Sequence, residues 1–155
     1  MWRQCFLLMI KTIVTVCTGN ICRSPVAEAA LRARLPNIEV RSAGMHALVG
    51  REIDPDSQQA AVQLGIPLAK HSARQFDFGI GREADLILVM DRGHLDEIRR
   101  KFPEFTGKSF LLRHHFETKD VPDPYRLGIA NHYRAVEVIL EGSHAWAKQI
   151  EQLLD

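Results

Sequence analysis

Ile10-Lys-Thr-Ile-Val-Thr-Val16 running into Cys17-Thr-Gly-Asn-Ile-Cys-Arg-Ser-Pro25 decides the fold. The β-branched run reads as a buried strand. Ser24-Pro-Val-Ala-Glu-Ala-Ala-Leu-Arg-Ala-Arg-Leu35 reads as a helix. Ser24 suits its N-cap and Pro25 its first helical position, where a missing N–H is no loss. Residues 17–25 are therefore a strand-to-helix turn at the positive end of a helix dipole.

Such a turn binds anions. Consecutive amides in a tight loop converge on one oxyanion, and the helix start adds about half a positive charge. The amides of Thr18, Gly19, Asn20, Ile21, Cys22, Arg23 and Ser24 form the expected cradle. Gly19 admits close approach, and Asn20 tolerates a left-handed backbone. Arg23 adds a planar, permanently charged fork that matches two phosphate oxygens. Cys17 opens the loop, so its sulfur points into the cradle, where amides, dipole and guanidinium favour the thiolate. A thiolate facing a phosphate-shaped site suits attack on phosphorus through a cysteinyl-phosphate. The bland alternative is a packed cysteine in a Rossmann-like turn; the strand before, the Ser-Pro start after and the loop glycine count against it.

Working outward, residues 9–16 form the first strand and 24–35 the first helix, with Val26, Ala27, Ala30, Leu31 and Leu35 on its buried side. Residues 38–42 alternate as a second strand, and a loop spans 45–53. Asp54-Pro55 starts a helix over 56–64 that Gly65 ends. Residues 85–90 read as a strand covered on both faces, the run after Asp85 being continuously apolar. A helix over 92–102, a strand over 108–112, a long polar connection over 113–128 and a closing helix over 129–154 follow, with Gly142-Ser143 a place for a bend. The expected architecture is α/β: one domain, a four-stranded parallel sheet with helices on both faces, and ligands at the carboxyl ends of the strands.

Composition narrows the function. The chain has 155 residues, 46% hydrophobic and 25% charged, with formal net charge +1. That is one globular domain, with no pull toward nucleic acid or an anionic membrane. Three cysteines make no disulfide framework and fit a reducing cytoplasm. No segment is long enough to span a bilayer. Residues 1–8 read as a dispensable extension, or translation begins at Met9; the domain proper is 9–155.

Cleaving a phosphate monoester calls for a general acid. Val121-Pro122-Asp123-Pro124-Tyr125 supplies the best candidate, Asp123, stiffened by two prolines in the connection after the fourth strand. Asp120 is the second candidate. His114-His115 with Glu117 reads as a solvated loop, and His94, His132 and His144 as helix surface. No metal and no cofactor are expected.

These motifs resemble the low-molecular-weight protein tyrosine phosphatases over nearly the whole chain from Met9. Cys17 to Pro25, Ser42-Ala-Gly44, Asp54-Pro55, His71-Ser-Ala-Arg-Gln75, Asp85 to Met90 and Asp123-Pro-Tyr125 all have counterparts. The loop Ser42 to Gly50 and the pattern Val121 to Arg126 look like the bacterial group tied to exopolysaccharide and capsule export. The resemblance implies a flavodoxin-like fold of the phosphotyrosine phosphatase I type. It makes Cys17 the nucleophile, Arg23 the phosphate clamp, and Asp123 the acid and then the base. Ser24 would hydrogen-bond the Cys17 sulfur, and Asn20, Ser42 and His71 would hold the loop. Cys22 would be a redox partner able to form a reversible disulfide with Cys17; the plainer alternative is a small packed residue. Ile21, Leu48 and Tyr125 would line the substrate pocket. Relatives acting on phosphoarginine tend to carry threonine at the place of Ile21, which leans this chain to phosphotyrosine. Leu48 replaces an aromatic usual in eukaryotic relatives. Implied partners are phosphotyrosine proteins, a membrane tyrosine autokinase among them, with a monomeric phosphatase. An arsenate reductase on the same scaffold would need further redox cysteines, and only Cys5 is left. A phosphotyrosine-capture module without turnover is the other alternative.

Overall fold

β1 (Thr12–Cys17) lies inside the sheet because both of its faces are apolar. Ile13 and Cys17 pack with one cluster of buried side chains, Val14 and Val16 with another. Period-two alternation sends neighbouring residues to opposite faces. In this computed structural model, residues 9–154 are described. The expected 1–8 extension falls outside the described residues.

β1 pairs in parallel with β2 (Glu39–Gly44) on one side and β3 (Leu86–Val89) on the other. β3 pairs in parallel with β4 (Ser109–Leu111). The order is β2-β1-β3-β4. One face is covered by α1 (Arg23–Arg34), α2 (Pro55–Gln63) and α5 (Ile129–Leu154), which bury Val26, Leu31, Ala60, Val136, Ile139 and Ile150 with Ile13, Leu86 and Leu88. The other face is covered by α3 (Phe78–Glu83) and α4 (Arg92–Lys101), with a 3-10 turn at Pro103–Lys108; Leu95, Ile98 and Phe105 pack there on Val14, Ile87 and Val89. The parallel sheet with helices on both faces is as expected.

Because all four strands run the same way, their carboxyl ends deliver four loops to one edge. The chain leaves β1 in one direction toward β2 and returns on its other side through β3. That reversal opens a crevice beside the end of β1, the usual ligand position in such sheets. Thr15, the one polar residue buried in β1, gives its hydroxyl to Ser24 O at 2.8 Å and so pins the start of α1 to the sheet.

Three local expectations change. α3 is an additional helix, capped by Asp77, whose side chain accepts the Ile80 amide. α1 begins at Arg23, with Cys22 in the cap position and no side-chain cap, so Ser24 is inside the helix and its hydroxyl is used elsewhere. α5 runs unbroken through Gly142; a Cβ there would lie 2.9 Å from Leu112 O, so the glycine serves close packing.

Candidate active site

The loop after β1 is a left-handed kink held from three directions. Asn20 has φ 60°. Its side chain donates to Ser24 Oγ at 2.8 Å and Ser42 Oγ at 3.0 Å, and accepts the Arg74 amide at 2.9 Å. Its carbonyl lies 2.6 Å from His71 Nε2. With Asn20 fully buried, these bonds offset the αL cost by satisfying every polar atom of its side chain.

Gly44, at the end of β2, lets this loop sit flat against the sheet. A Cβ there would collide with the Thr18 carbonyl and come within 3.0 Å of the Asn20 amide. Both are backbone atoms, so neither can swing aside. Gly44→Ala is expected to destabilise by about 2 kcal/mol and lower the melting temperature by roughly 6 °C, measured by thermal denaturation.

At the floor of the loop, Cys17 Sγ is 2.9 Å from Ser24 Oγ. The Ser24 hydroxyl accepts from Asn20, which leaves its proton to point at the sulfur, with Ala43 O at 3.4 Å as the other choice. The arrangement can stabilise negative charge on sulfur.

Arg23 is 3% exposed and held by its back edge: Nη1 donates to Asp91 Oδ2 and to Val121 O, both at 3.0 Å. Nη2 is 3.5 Å from Thr18 Oγ1 and 3.7 Å from Asp123 Oδ2. Asp91 escaped the sequence reading. Its place just before α4 marks it as an N-cap, and one oxygen does accept the His94 amide at 3.0 Å. That its other oxygen tethers Arg23, 68 residues away, is visible only in three dimensions. Burial works against the Asp91 anion, but His94, its amide and Arg23 outweigh it and hold the carboxyl below the ordinary range. The ring of His94 contributes only when charged, so the His94 amide and Arg23 are the causes that operate at neutral pH.

His94 is buried, contrary to the surface position expected of it, and its Nε2 meets Thr18 Oγ1 at 2.8 Å. Burial, helped by the Arg23 charge, pushes its pKa below the ordinary histidine value against the pull of Asp91, Glu97 and Asp123. The unfolded chain then takes up a proton below about pH 6.5 that the folded chain resists, so this contribution to stability is lost as pH falls. His94→Gln is expected to melt lower than wild type at pH 8, through loss of a hydrogen bond of about 1 kcal/mol. The difference should narrow toward pH 5; a constant difference across that range would show that His94 does not titrate in this way.

The mouth is a cavity of about 170 Å³. Cys17, Thr18, Gly19, Ile21, Cys22 and Arg23 form its base, and Leu48, Asp123 and Tyr125 its rim, joined by His46. Three loop ends thus meet: Leu48 from the β2 side, the cradle from β1, and Asp123 with Tyr125 from the connection after β4. Asp123 Oδ1 accepts the Tyr125 amide at 3.1 Å, and the side chain is half exposed. Asp120 is not among the lining residues and accepts the Arg92 amide at 3.0 Å instead. His46, which the sequence reading passed over, lies 3.1 Å from Glu97. Cys17 and Cys22 are both free thiols. Burial pushes the Cys22 thiol up to about 12, with Asp54, Cys17 and Asp123 adding to the rise and Ser57 opposing it.

Comparison with known proteins agrees with this geometry. The profile of the family described as low molecular weight phosphotyrosine protein phosphatase matches residues 12–154. A probable low molecular weight protein-tyrosine-phosphatase, EpsP, of Ralstonia nicotianae is 43% identical over 145 residues, 94% of this chain and 99% of that protein. The tyrosine phosphatase Wzb of Escherichia coli K30, solved with sulphate, superposes with a TM-score of 0.88 at 38% identity, covering 91% of this chain and 99% of that one. The YwlE arginine phosphatase of Geobacillus stearothermophilus superposes with a TM-score of 0.85 at 32% identity, covering 92% and 94%. With a family profile spanning nearly its whole length and a sheet, loop and pocket that fit it, the chain belongs to the low molecular weight phosphotyrosine protein phosphatase family.

Proposed function

We propose that this chain hydrolyses phosphotyrosine in proteins through a cysteinyl-phosphate intermediate. The observation that carries the proposal is the convergence on one cavity of Cys17, with its sulfur 2.9 Å from a serine hydroxyl, the tethered Arg23 and the half-exposed Asp123. In the first step the cradle amides and Arg23 bind the non-bridging phosphate oxygens, and Cys17 attacks phosphorus. Asp123 gives a proton to the departing phenolic oxygen. In the second step Asp123 takes a proton from water, the water oxygen attacks phosphorus, and sulfur leaves toward the Ser24 hydroxyl. Preorganised donors aimed at the phosphoryl oxygens supply the largest share of the rate enhancement.

Phosphotyrosine is favoured over phosphoarginine because Ile21, Leu48 and Tyr125 offer apolar walls for a flat ring. The recessed sulfur disfavours phosphoserine, whose stem is short. The loop patterns Ser42–Gly50 and Val121–Arg126 support a tyrosine autokinase of exopolysaccharide or capsule export as the protein substrate, and the small number of cysteines, three in 155 residues, supports a reducing cytoplasm. Among the described residues, no helix is long and apolar enough to cross a membrane.

The test is steady-state hydrolysis of matched phosphotyrosine, phosphoserine and phosphoarginine peptides without added metal, using wild type and Asp123→Asn. Wild type should prefer phosphotyrosine. Asp123→Asn should lower kcat by on the order of 100- to 1,000-fold. The loss in kcat/KM, which reports the first step, should shrink for aryl phosphates with a good leaving group, which need less protonation. A preference for phosphoarginine would overturn the reading of Ile21. No turnover by reduced wild type would favour a capture module.

A further inference from the structure

Cys22 has a second set of neighbours besides the cradle. Asp54, the N-cap of α2, and His132, in the first turn of α5, converge on it. One ligand atom from each of Cys22, Asp54 and His132 lies within 4.8 Å of the other two. His132, expected at the surface, is 1% exposed; Cys22 is buried and Asp54 half-buried. His132 Nδ1 is 2.7 Å from Ser57 Oγ, and Nε2 is 3.7 Å from Asp54 Oδ1.

We propose that this cluster is a site for a divalent transition cation of the zinc class. Cys22 Sγ, His132 Nε2 and an Asp54 carboxylate oxygen are its protein ligands, and solvent is the fourth. A mixed sulfur, nitrogen and oxygen donor set on a borderline-soft ion is what zinc takes. Tetrahedral bonds of about 2.0–2.3 Å put ligand atoms roughly 3.5 Å apart, so the His132–Asp54 separation already fits.

Two further features point the same way. When Ser57 accepts the Nδ1 proton, the free lone pair of Nε2 faces a carboxylate oxygen, and two acceptors so placed call for a cation between them. Asp54 Oδ1 is itself oriented by the amides of Asp56 at 2.9 Å and Ser57 at 3.4 Å. Thiolate and carboxylate also balance the charge of a divalent ion, so the filled site buries no net charge. Binding forms the sulfur–metal bond and releases the Cys22 proton to solvent. An ion held there keeps Cys22 from pairing with Cys17.

The test uses cobalt(II) as the probe, on the reduced full chain carrying Cys17→Ser, which removes the other thiol of the pocket. A thiolate-to-cobalt charge-transfer absorption should saturate at one equivalent and be displaced by zinc. Cys22→Ser should abolish it. His132→Phe and Asp54→Asn should each weaken cobalt affinity by about 100-fold. Asparagine caps a helix as well as aspartate does, so Asp54→Asn removes the ligand charge with α2 intact, which a thermal melt verifies. No absorption in the Cys17→Ser chain, absorption that survives Cys22→Ser, or unchanged affinity in folded Asp54→Asn would each overturn the site. Because this chain already lacks Cys17, the outcome is independent of the phosphatase reading.

Discussion

Cys17→Ser is expected to lower kcat for phosphotyrosine peptide hydrolysis by roughly 10,000-fold or more while leaving peptide affinity within about tenfold. The change replaces one atom. Asn20, Ser24, Ser42, His71 and Arg74 hold the loop through bonds that do not involve the sulfur, so the cradle keeps its shape. A serine hydroxyl in that position stays protonated, and Asp123, which must give its proton to the leaving group in the same step, cannot also take one from it. The nearest hydroxyl, Ser24, already accepts from Asn20 and serves as a donor. Steady-state kinetics and calorimetric titration of the same peptide separate the two effects. Wild-type turnover by the variant would remove Cys17 from the mechanism. Loss of binding together with turnover, at an unchanged melting temperature, would show that the sulfur, and not the loop, carries the affinity.

The fold was legible where hydrophobic patterning is strongest. β3 is an unbroken apolar run, β1 is rich in β-branched residues, and the Asp54-Pro55 start of α2 follows capping rules: Asp54 accepts the amides of Asp56 and Ser57. α3 was hidden because it is a single short turn and a half containing two glycines, a poor helix by propensity, and it exists because Phe78 and Ile80 have aromatic and apolar neighbours across the chain. Ser24 looked like a cap because its residue type and the following proline suit one; tertiary structure took the hydroxyl for Cys17 instead. The cradle residues were readable because chemistry and spacing coincide within nine residues. Asp91, His46 and the cluster around His132 were not, since each acquires its meaning from a partner more than 50 residues away. Helical periodicity alone placed His94 and His132 at the surface; their hydroxyl partners, Thr18 and Ser57, are what allow burial.

Arg23→Lys should lower kcat/KM for phosphotyrosine peptide by on the order of 1,000-fold, although the charge is kept. The guanidinium works as two edges. Nη1 is committed to Asp91 and Val121 O, and that tether leaves Nη2 on the side of Thr18 and Asp123, where the phosphoryl oxygens would arrive. An ammonium has one nitrogen and cannot serve both edges. If it stays with Asp91, the phosphoryl group loses its fork. If it turns to the phosphate, Asp91 and the Val121 carbonyl lose a buried donor, at a cost of about 2 kcal/mol. Kinetics and melting therefore report different halves of the same residue. A lysine that lowers activity with little change in melting has kept the tether; one that lowers both has broken it. Asp91→Asn supplies the control: it keeps an acceptor for Nη1 but removes the charge, so it should cost far less than Arg23→Lys in kcat/KM. Should Asp91→Asn instead match the loss in Arg23→Lys, the orientation set by the Asp91 charge, and not the fork, would be what the phosphoryl group depends on.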